Sequence, residues 1–449
     1  MLLSEIADAS ADVAATSSRL AKISRLAEVL AQASPEEVPT AVSYLSGYLA
    51  QGTIGVGWAA LREVPEPAHP PATLELLEVD ASVSRIAAIS GAGSQAARRE
   101  ELAKLFGRAT EPEQRFLRGL LLGELRQGAL EGVMVEAVAR AAELPAADVR
   151  RAVMLAGELG PVAAAALGDG VEGLARFRLS VLSPIQPMLA QTGDDLDDAL
   201  ARVAGPASVE WKLDGARLQV HRLGDEVRAF TRNLADITDR VPEIVDGVLG
   251  LELEAVILDG EAIALDGGRR PRRFQQTMSR FGSKVDVGEQ RRKVPLSSFF
   301  FDVLHLDGED LIDRPASERL AALEERLPES LRVPRIETGD VAEAQGFLED
   351  ALARGHEGVM VKALDAPYEA GRRGAGWLKV KVAHTLDLVV LAAEWGHGRR
   401  SGKLSNLHLG ARDPETGAFV MLGKTFKGMT DEILAWQTER LQELETHTD

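Results

Sequence analysis

The chain has 449 residues, 45% of them hydrophobic and 27% charged, with 51 Lys and Arg against 69 Asp and Glu for a net charge of -18. That length exceeds one ordinary core and implies about three domains. The absence of cysteine excludes disulfides, Cys-ligated zinc and thiol nucleophiles. No apolar run is long enough to span a bilayer, and the N-terminus MLLSEIADASADV carries acids where a secretory signal needs positive charge, so a cytoplasmic protein is expected.

Residues 1 to about 175 read as helical throughout. Ala, Leu, Glu and Arg recur at helical spacing in "LAKISRLAEVLAQA", "EQRFLRGLLLGELRQGALEGVMVEAVARAAEL" and "AADVRRAVMLAGEL". Proline and N-cap residues punctuate the pattern at "ASPEEVPT", "PEPAHPPAT" and "TEPEQ". No fixed-period repeat signals a solenoid. The Pro-containing stretch "LSPIQPMLAQT" (182–192) then reads as an interdomain linker. Beyond it come the strand-like runs "ASVEWKL", "RLQVHRL", "EVRAFTR", "EAVILDGEAIAL", "PLSSFFFDVLHL", "EGVMVKAL" and "GWLKVKV", with helical stretches between them. Strands outnumber helices without strict alternation, which favours an α+β domain over residues 182–383. Residues 384–449 hold three further short strands with Gly-rich turns, in "DLVVLAAEW", "LSNLHLGARD" and "AFVMLGKTF", suggesting a small β-barrel.

Candidate chemistry gathers in the middle segment. In "SVEWKLDGARLQVH" (208–221), strand alternation turns Val209, Trp211 and Leu213 one way and Glu210, Lys212 and Asp214 the other. The stretch suits either an amphipathic edge strand with a solvated charged face or a nucleophilic lysine on a strand rim. Glu210 and Asp214 favour the charged ammonium, so bound metal and nearby cations must overcome them before Lys212 attacks. "ILDGEAIA" puts Glu261 beyond an apparent Asp259-Gly260 turn, and "FFFDVLHLDGEDL" places Phe301 in a very apolar strand ahead of a hairpin-like Asp307-Gly308. Glu357 and Lys362 bracket "EGVMVK", and "GWLKVKV" sets Trp377, Lys379 and Lys381 on one face. Four basic clusters, "GGRRPRRF", "EQRRKV", "EAGRRGAGWLKVK" and "GHGRRSGK", all lie in the C-terminal part and point to an anionic ligand despite the acidic total. The set suits nucleotidyl transfer. An amine attacks an α-phosphate, Lys379, Lys381 and Arg217 stabilise its charge, Glu261 and Glu357 hold a divalent cation, Phe301 stacks on a base and Arg232 reaches ribose or phosphate.

Lys212-Leu213-Asp214-Gly215-Ala216-Arg217 resembles the KxDGxR signature of covalent nucleotidyltransferases, and the order of the later stretches resembles the ATP-dependent DNA ligases. "ILDGEAIA" looks like motif III, "SFFFDVLHLDG" like IIIa, "EGVMVK" like IV and "WLKVK" like V. "GTIGVGWAALR" (52–62) and "LRQGALEGVMVEAV" (125–138) resemble the N-terminal DNA-binding domain of these ligases, and the Ala-, Arg- and Gly-rich whole is most similar to the bacterial ligase B type of actinobacteria. The resemblance implies a multidomain protein: an all-α DNA-binding domain (1–175), an α+β adenylation domain (182–383) and a partial OB-fold barrel (384–449). It makes Lys212 the adenylylated nucleophile, sets Glu210, Arg217, Arg232, Glu261, Phe301, Arg373 and Lys379 around the adenylate, and gives Glu261 and Glu357 to the metal. ATP, Mg²⁺ or Mn²⁺, and nicked double-stranded DNA are the implied cofactors and partner, with a monomeric enzyme and no membrane. An RNA ligase or capping-type nucleotidyltransferase, and a non-catalytic DNA-binding clamp, are the alternatives. The helical domain argues against the first and the intact lysine pocket against the second. One feature departs from the family: motif VI is missing after "GKTFKGMTDE", the chain closes in "LAWQTERLQELETHTD", and about three strands are found where an OB fold has five. A piece of a longer protein is therefore expected.

Overall fold

Capping and apolar spacing build the N-terminal segment. In the helix Glu111–Leu121, Thr110 caps the N-terminus, and the Glu113 carboxylate accepts from the Thr110 N–H and hydroxyl, both at 2.8 Å. The helix then buries Gln114, Phe116, Leu117, Leu120 and Leu121 on one face. Ten such helices run from Leu3–Ala15 to Leu159–Leu174 among the described residues. Their shared core includes Leu3, Ile6, Leu30, Tyr44, Val83, Phe106, Leu117, Val138 and Val162. The computed structural model describes all residues except 126, 129–130, 204, 283–285, 370–375, 383–384, 398–399, 427 and 447–449.

The strands that follow form two five-stranded sheets. They are β1 (Gln191–Thr192), β2 (Ala207–Lys212), β3 (Ala216–Leu223), β4 (Glu226–Thr231), β5 (Ala255–Ala264), β6 (Leu296–Leu306), β7 (Glu309–Asp310), β8 (Arg335–Thr338), β9 (Gly358–Ala363) and β10 (Trp377–Lys381). One sheet has the order β1-β10-β9-β2-β8 and the other β4-β3-β5-β6-β7. All neighbours are antiparallel except β1 and β10, as an α+β domain requires.

Two sequence expectations change here. β2 is no edge strand: β8 and β9 flank it, and Ala207 to Glu210 are all buried. Asp259-Gly260 makes no turn either, because both residues lie inside β5. Gly260 is needed for close packing, since a Cβ there would come within 2.7 Å of the Phe299 carbonyl and of the Phe300 ring. Asp307-Gly308, by contrast, does turn the chain between β6 and β7, with φ of 44° and 94°.

Met1–Val382 is one compact unit, and Ala383–Asp449 is a second. The boundary expected near residues 175–182 is thus no break in packing. Met154 and Leu155, from the helix Ala146–Ala156, share a core with Ile185, Met188, Ile257, Leu304, Ile312, Tyr368 and Trp377. In the second unit, β11 (Val389–Trp395), β12 (Leu404–Arg412) and β13 (Phe419–Thr425) form an antiparallel three-stranded sheet. Its helix Asp431–Glu443 bonds to β12, Gln437 donating to the Leu404 carbonyl at 2.5 Å and Thr438 accepting from the Leu404 N–H at 2.9 Å. Among the described residues no helix is long and apolar enough to cross a membrane.

Candidate active site

Between the two sheets lies a cavity of about 1100 Å³, lined from one side by β2, β9 and β10 and from the other by β3, β5 and β6. β2 ends at Lys212 and the chain turns through Leu213, Asp214 and Gly215 into β3. That turn presses on β5 so closely that a Cβ on Gly215 would lie 2.4 Å from the Ala262 carbonyl oxygen. Glycine there is a steric necessity.

The mouth is charged. Lys212 Nζ pairs with the Glu357 carboxylate, which also takes Lys381 Nζ at 2.6 Å, and the Glu357 N–H donates to the Lys212 carbonyl at 3.1 Å. Burial works to raise the Glu357 carboxyl, but hydrogen bonds from the two lysines prevail and hold it below the usual range. Two further carboxyls crowd the same corner. Asp214 is raised by burial and then by Glu357. Glu261, directly opposite Arg217 in the β3–β5 register, is pushed up to about 7 by burial, against the pull of Arg217 and Lys212. Lys379 also lines the cavity, and Arg232 is exposed on its lining beside Asn233.

The other end is aromatic. Phe301 meets Trp377 edge-on, ring centres 5.8 Å apart. Lys362, buried, lies 4.4 Å from both ring centres, donates to the Phe301 carbonyl at 3.2 Å and pairs with Glu210 at 2.6 Å. Glu210, also buried, accepts from Ser208 at 3.0 Å, and burial raises its carboxyl even against Lys362. The carboxylate holding Lys212 is therefore Glu357, whereas its strand neighbour Glu210 is satisfied by Lys362. Arg217 is held just as firmly: Nε and Nη2 fork onto Asp259 at 3.0 and 2.5 Å, Nη1 reaches the Met188 carbonyl at 2.5 Å, and Nη2 also reaches Tyr368 at 3.3 Å. Four of its five N–H groups are thereby committed. The cavity thus joins an aromatic part around Phe301, Trp377 and Lys362 to a more exposed charged part around Lys212, Glu357 and Lys381.

Residues 187–381 match the family model described as ATP dependent DNA ligase domain, and residues 59–139 match the one described as DNA ligase N terminus. A probable DNA ligase of Anaeromyxobacter dehalogenans strain 2CP-C is 60% identical, the alignment covering 99% of this chain and 88% of that protein. One of Mycolicibacterium gilvum is 61% identical over 99% of this chain and 86% of its own length. The chain belongs to the ATP-dependent DNA ligases. A solved structure described as Pmar-Lig_PreS3 shares the fold, with a TM-score of 0.63 and 18% identity over 98% of this chain and 91% of that one. As a member of this family the protein is an enzyme that joins DNA using ATP and a divalent metal ion.

Of the site residues expected from the sequence of this ligase, Lys212, Glu210, Arg217, Arg232, Glu261, Phe301, Glu357 and Lys379 all line the one cavity. Arg373 lies outside the described residues. The sequence marks Lys362 only as bracketing "EGVMVK" and Asp259 only as part of an apparent turn, gives neither a role in the site, and does not mark Tyr368. A signal existed for Lys362: in "GVMVKA" strand alternation puts it on the face of Met360, which lines the cavity. Asp259 was obscured by the turn-like Asp-Gly pair, and Tyr368 stands in a loop with no periodicity to read.

Proposed function

We propose that Lys212 is the nucleophile of a three-step nick-sealing reaction. Its neutral Nζ attacks the α-phosphorus of ATP, a P–N bond forms, the P–O bond to pyrophosphate breaks and the amine proton passes to water. An oxygen of the 5′-phosphate at a nick then displaces the lysine, which leaves as the amine. Finally the 3′-hydroxyl attacks that phosphate, its proton is lost to water, and AMP departs. The observation that carries this reading is the position of Lys212, among Glu357 and Lys381 in the charged part of a cavity that is also lined by Phe301, Trp377 and the Glu210–Lys362 pair.

In this reading Phe301 stacks on adenine and Glu210, two residues up the same strand face from Lys212, accepts from the base's edge. Lys379, Lys381 and Arg232 neutralise phosphate and ribose oxygens, joined by Arg373, and Arg217 contributes its charge and its remaining N–H. The carboxyls suit a divalent cation: Glu357 repels both Asp214 and Glu261 in a half-buried corner, and Mg²⁺ or Mn²⁺ needs only one or two carboxylates beside substrate phosphates. Such an ion would shield the phosphate oxygens during attack. A cation taken up by Glu357 would compete with the two lysines already on that carboxylate and so weaken its hold on the Lys212 Nζ.

Nicked duplex is the proposed form of the DNA. The helical part meets its phosphates through helix N-termini behind Gly-containing turns such as Gly52–Gly57, which tolerates an acidic protein. β11–β13 are assigned to an OB-type barrel, on the support of their antiparallel meander. Incubation of Lys212→Ala with α-labelled ATP and Mg²⁺ tests the central assignment. Labelling should vanish while the thermal melt is retained, because Glu357 keeps Lys381 at 2.6 Å. Label on another lysine would overturn it.

A further inference from the structure

β3 presents three polar side chains at alternate positions, Arg217, Gln219 and His221, and each bonds to residues 182–188, the segment that reads as a linker. His221 Nδ1 accepts from the Leu182 N–H at 3.0 Å. Gln219 accepts from the Ile185 N–H at 2.9 Å and donates to the Ile185 carbonyl at 3.3 Å. Arg217 donates to the Met188 carbonyl. The row is internally consistent, because burial, and then His305, push His221 down to about 3. It stays neutral, leaving Nδ1 as acceptor and Nε2–H to donate to Gln219 at 2.7 Å. Buried polar groups are costly unless bonded, and a segment held only by apolar contact could slide. Gln219 bonds both peptide groups of one residue, so a slip of a single position breaks both contacts.

The segment continues into the site. The Met188 N–H donates to the Tyr368 hydroxyl at 3.0 Å, and that hydroxyl donates to Asp259 at 2.7 Å and accepts from Arg217 at 3.3 Å. Two residues earlier the Gln186 N–H donates to the Met154 carbonyl at 2.9 Å, and Met154 and Leu155 pack in one core with Tyr368 and Trp377. We propose that residues 182–188 are a strap that positions Arg217 for self-adenylylation, with Gln219 and Tyr368 as its positioning residues. The helical region, through Met154, then supports the nucleotide pocket as well as binding DNA. The proposal rests on the reading that Arg217 acts on the nucleotide.

The test uses the full chain without DNA. Single-turnover self-adenylylation is followed with labelled ATP over a range of concentrations, for Gln219→Leu, Tyr368→Phe and Arg217→Lys, well below each variant's melting transition. Tyr368→Phe removes one hydroxyl and keeps the buried ring, so it reports even where Gln219→Leu folds poorly. Misplacement of Arg217 should lower the maximal rate of Gln219→Leu and Tyr368→Phe between about tenfold and a hundredfold, with the half-saturating ATP concentration unchanged. A merely structural strap would lower the melting temperature and leave that rate alone. Wild-type rates in both variants beside a slow Arg217→Lys overturn the strap and leave the role of Arg217 standing. A loss carried wholly by weaker ATP binding also overturns the strap. A wild-type rate in Arg217→Lys overturns the reading of Arg217 itself, and the strap with it.

Discussion

Replacing Lys362 by methionine keeps the side chain's length and removes its charge, leaving the Glu210 carboxylate alone in the interior. Both side chains of the pair are only 3% exposed and stand 2.6 Å apart, so solvent does little to screen the loss. Breaking a buried pair from one side costs about 3–5 kcal/mol, and losing the ammonium from its seat against Phe301 and Trp377 adds up to about 2 kcal/mol. Glu210 has one escape, which is to take up a proton. Burial already holds its carboxyl above the ordinary value of 4.5, with Lys362 opposing the rise, and without Lys362 it climbs further. A carboxyl whose folded value exceeds its unfolded value stabilises the fold below the unfolded value and loses that contribution as pH rises toward the folded one. Protonation of Glu210 thus offsets part of the cost of the broken pair, and it does so only at the acidic end. The Lys362→Met defect should therefore be smallest near the ordinary carboxylate value of 4.5 and grow as pH rises above it, as measured by urea unfolding followed by circular dichroism. Adding Glu210→Gln should recover most of it at higher pH. A defect that does not grow with pH, or is untouched by Glu210→Gln, would refute the reasoning.

Two further outcomes follow from the site. Because Glu261 is pushed up to about 7, it is largely protonated below that pH and charged above it. The Mg²⁺ concentration giving half-maximal self-adenylylation should therefore fall as pH rises through about 7. Glu261→Gln should flatten this dependence and raise the requirement about tenfold; a variant profile that still breaks at the wild-type pH counts against Glu261 as the group. Gly215→Ala forces a Cβ to within 2.4 Å of the Ala262 carbonyl and 2.8 Å of the Glu261 side chain. It should cost about 1–3 kcal/mol of stability and slow labelling of Lys212, and an unchanged melt and rate would show that the turn can yield.

What was legible in the sequence was local. Lys212 could be placed at a strand end beside Gly215 because strand period and the KLDGAR spacing act over a few residues, and the same holds for Lys379 and Lys381 on one face of β10. The partners were not legible, since a partner is set by register between distant strands. Lys362 stands 152 positions from Glu210 and meets it only because β2 pairs with β9. Asp259 meets Arg217 only because β3 pairs with β5. Local signals also misled where a residue served packing: Asp259-Gly260 has the composition of a turn, yet Gly260 admits the backbone of β6 to within reach of β5. The strap was hidden for a different reason. Its hydrogen bonds come from the backbone of residues 182–188, and backbone groups leave no trace in composition, so prolines alone made the stretch read as a loose linker.

Glu210 and Glu261 show how chemistry separates from structure in this cavity. Each carboxyl is raised by burial, and each has a cation nearby. Glu210 owns its cation: Lys362 bonds to it directly and sits between two rings that hold the ammonium in place. Glu261 does not, because Arg217, opposite it in the sheet, gives its fork to Asp259 and its remaining committed N–H groups to Met188 and Tyr368. Lys212 is likewise engaged by Glu357. The fold thus satisfies Glu210 from within and leaves Glu261 poised at about 7, where a small gain in positive potential is enough to ionise it. A divalent ion arriving with the triphosphate would supply that potential at the moment it is needed. Under the proposed mechanism the same ion would also draw on Glu357, so charging Glu261 and weakening the Glu357–Lys212 pair would go together.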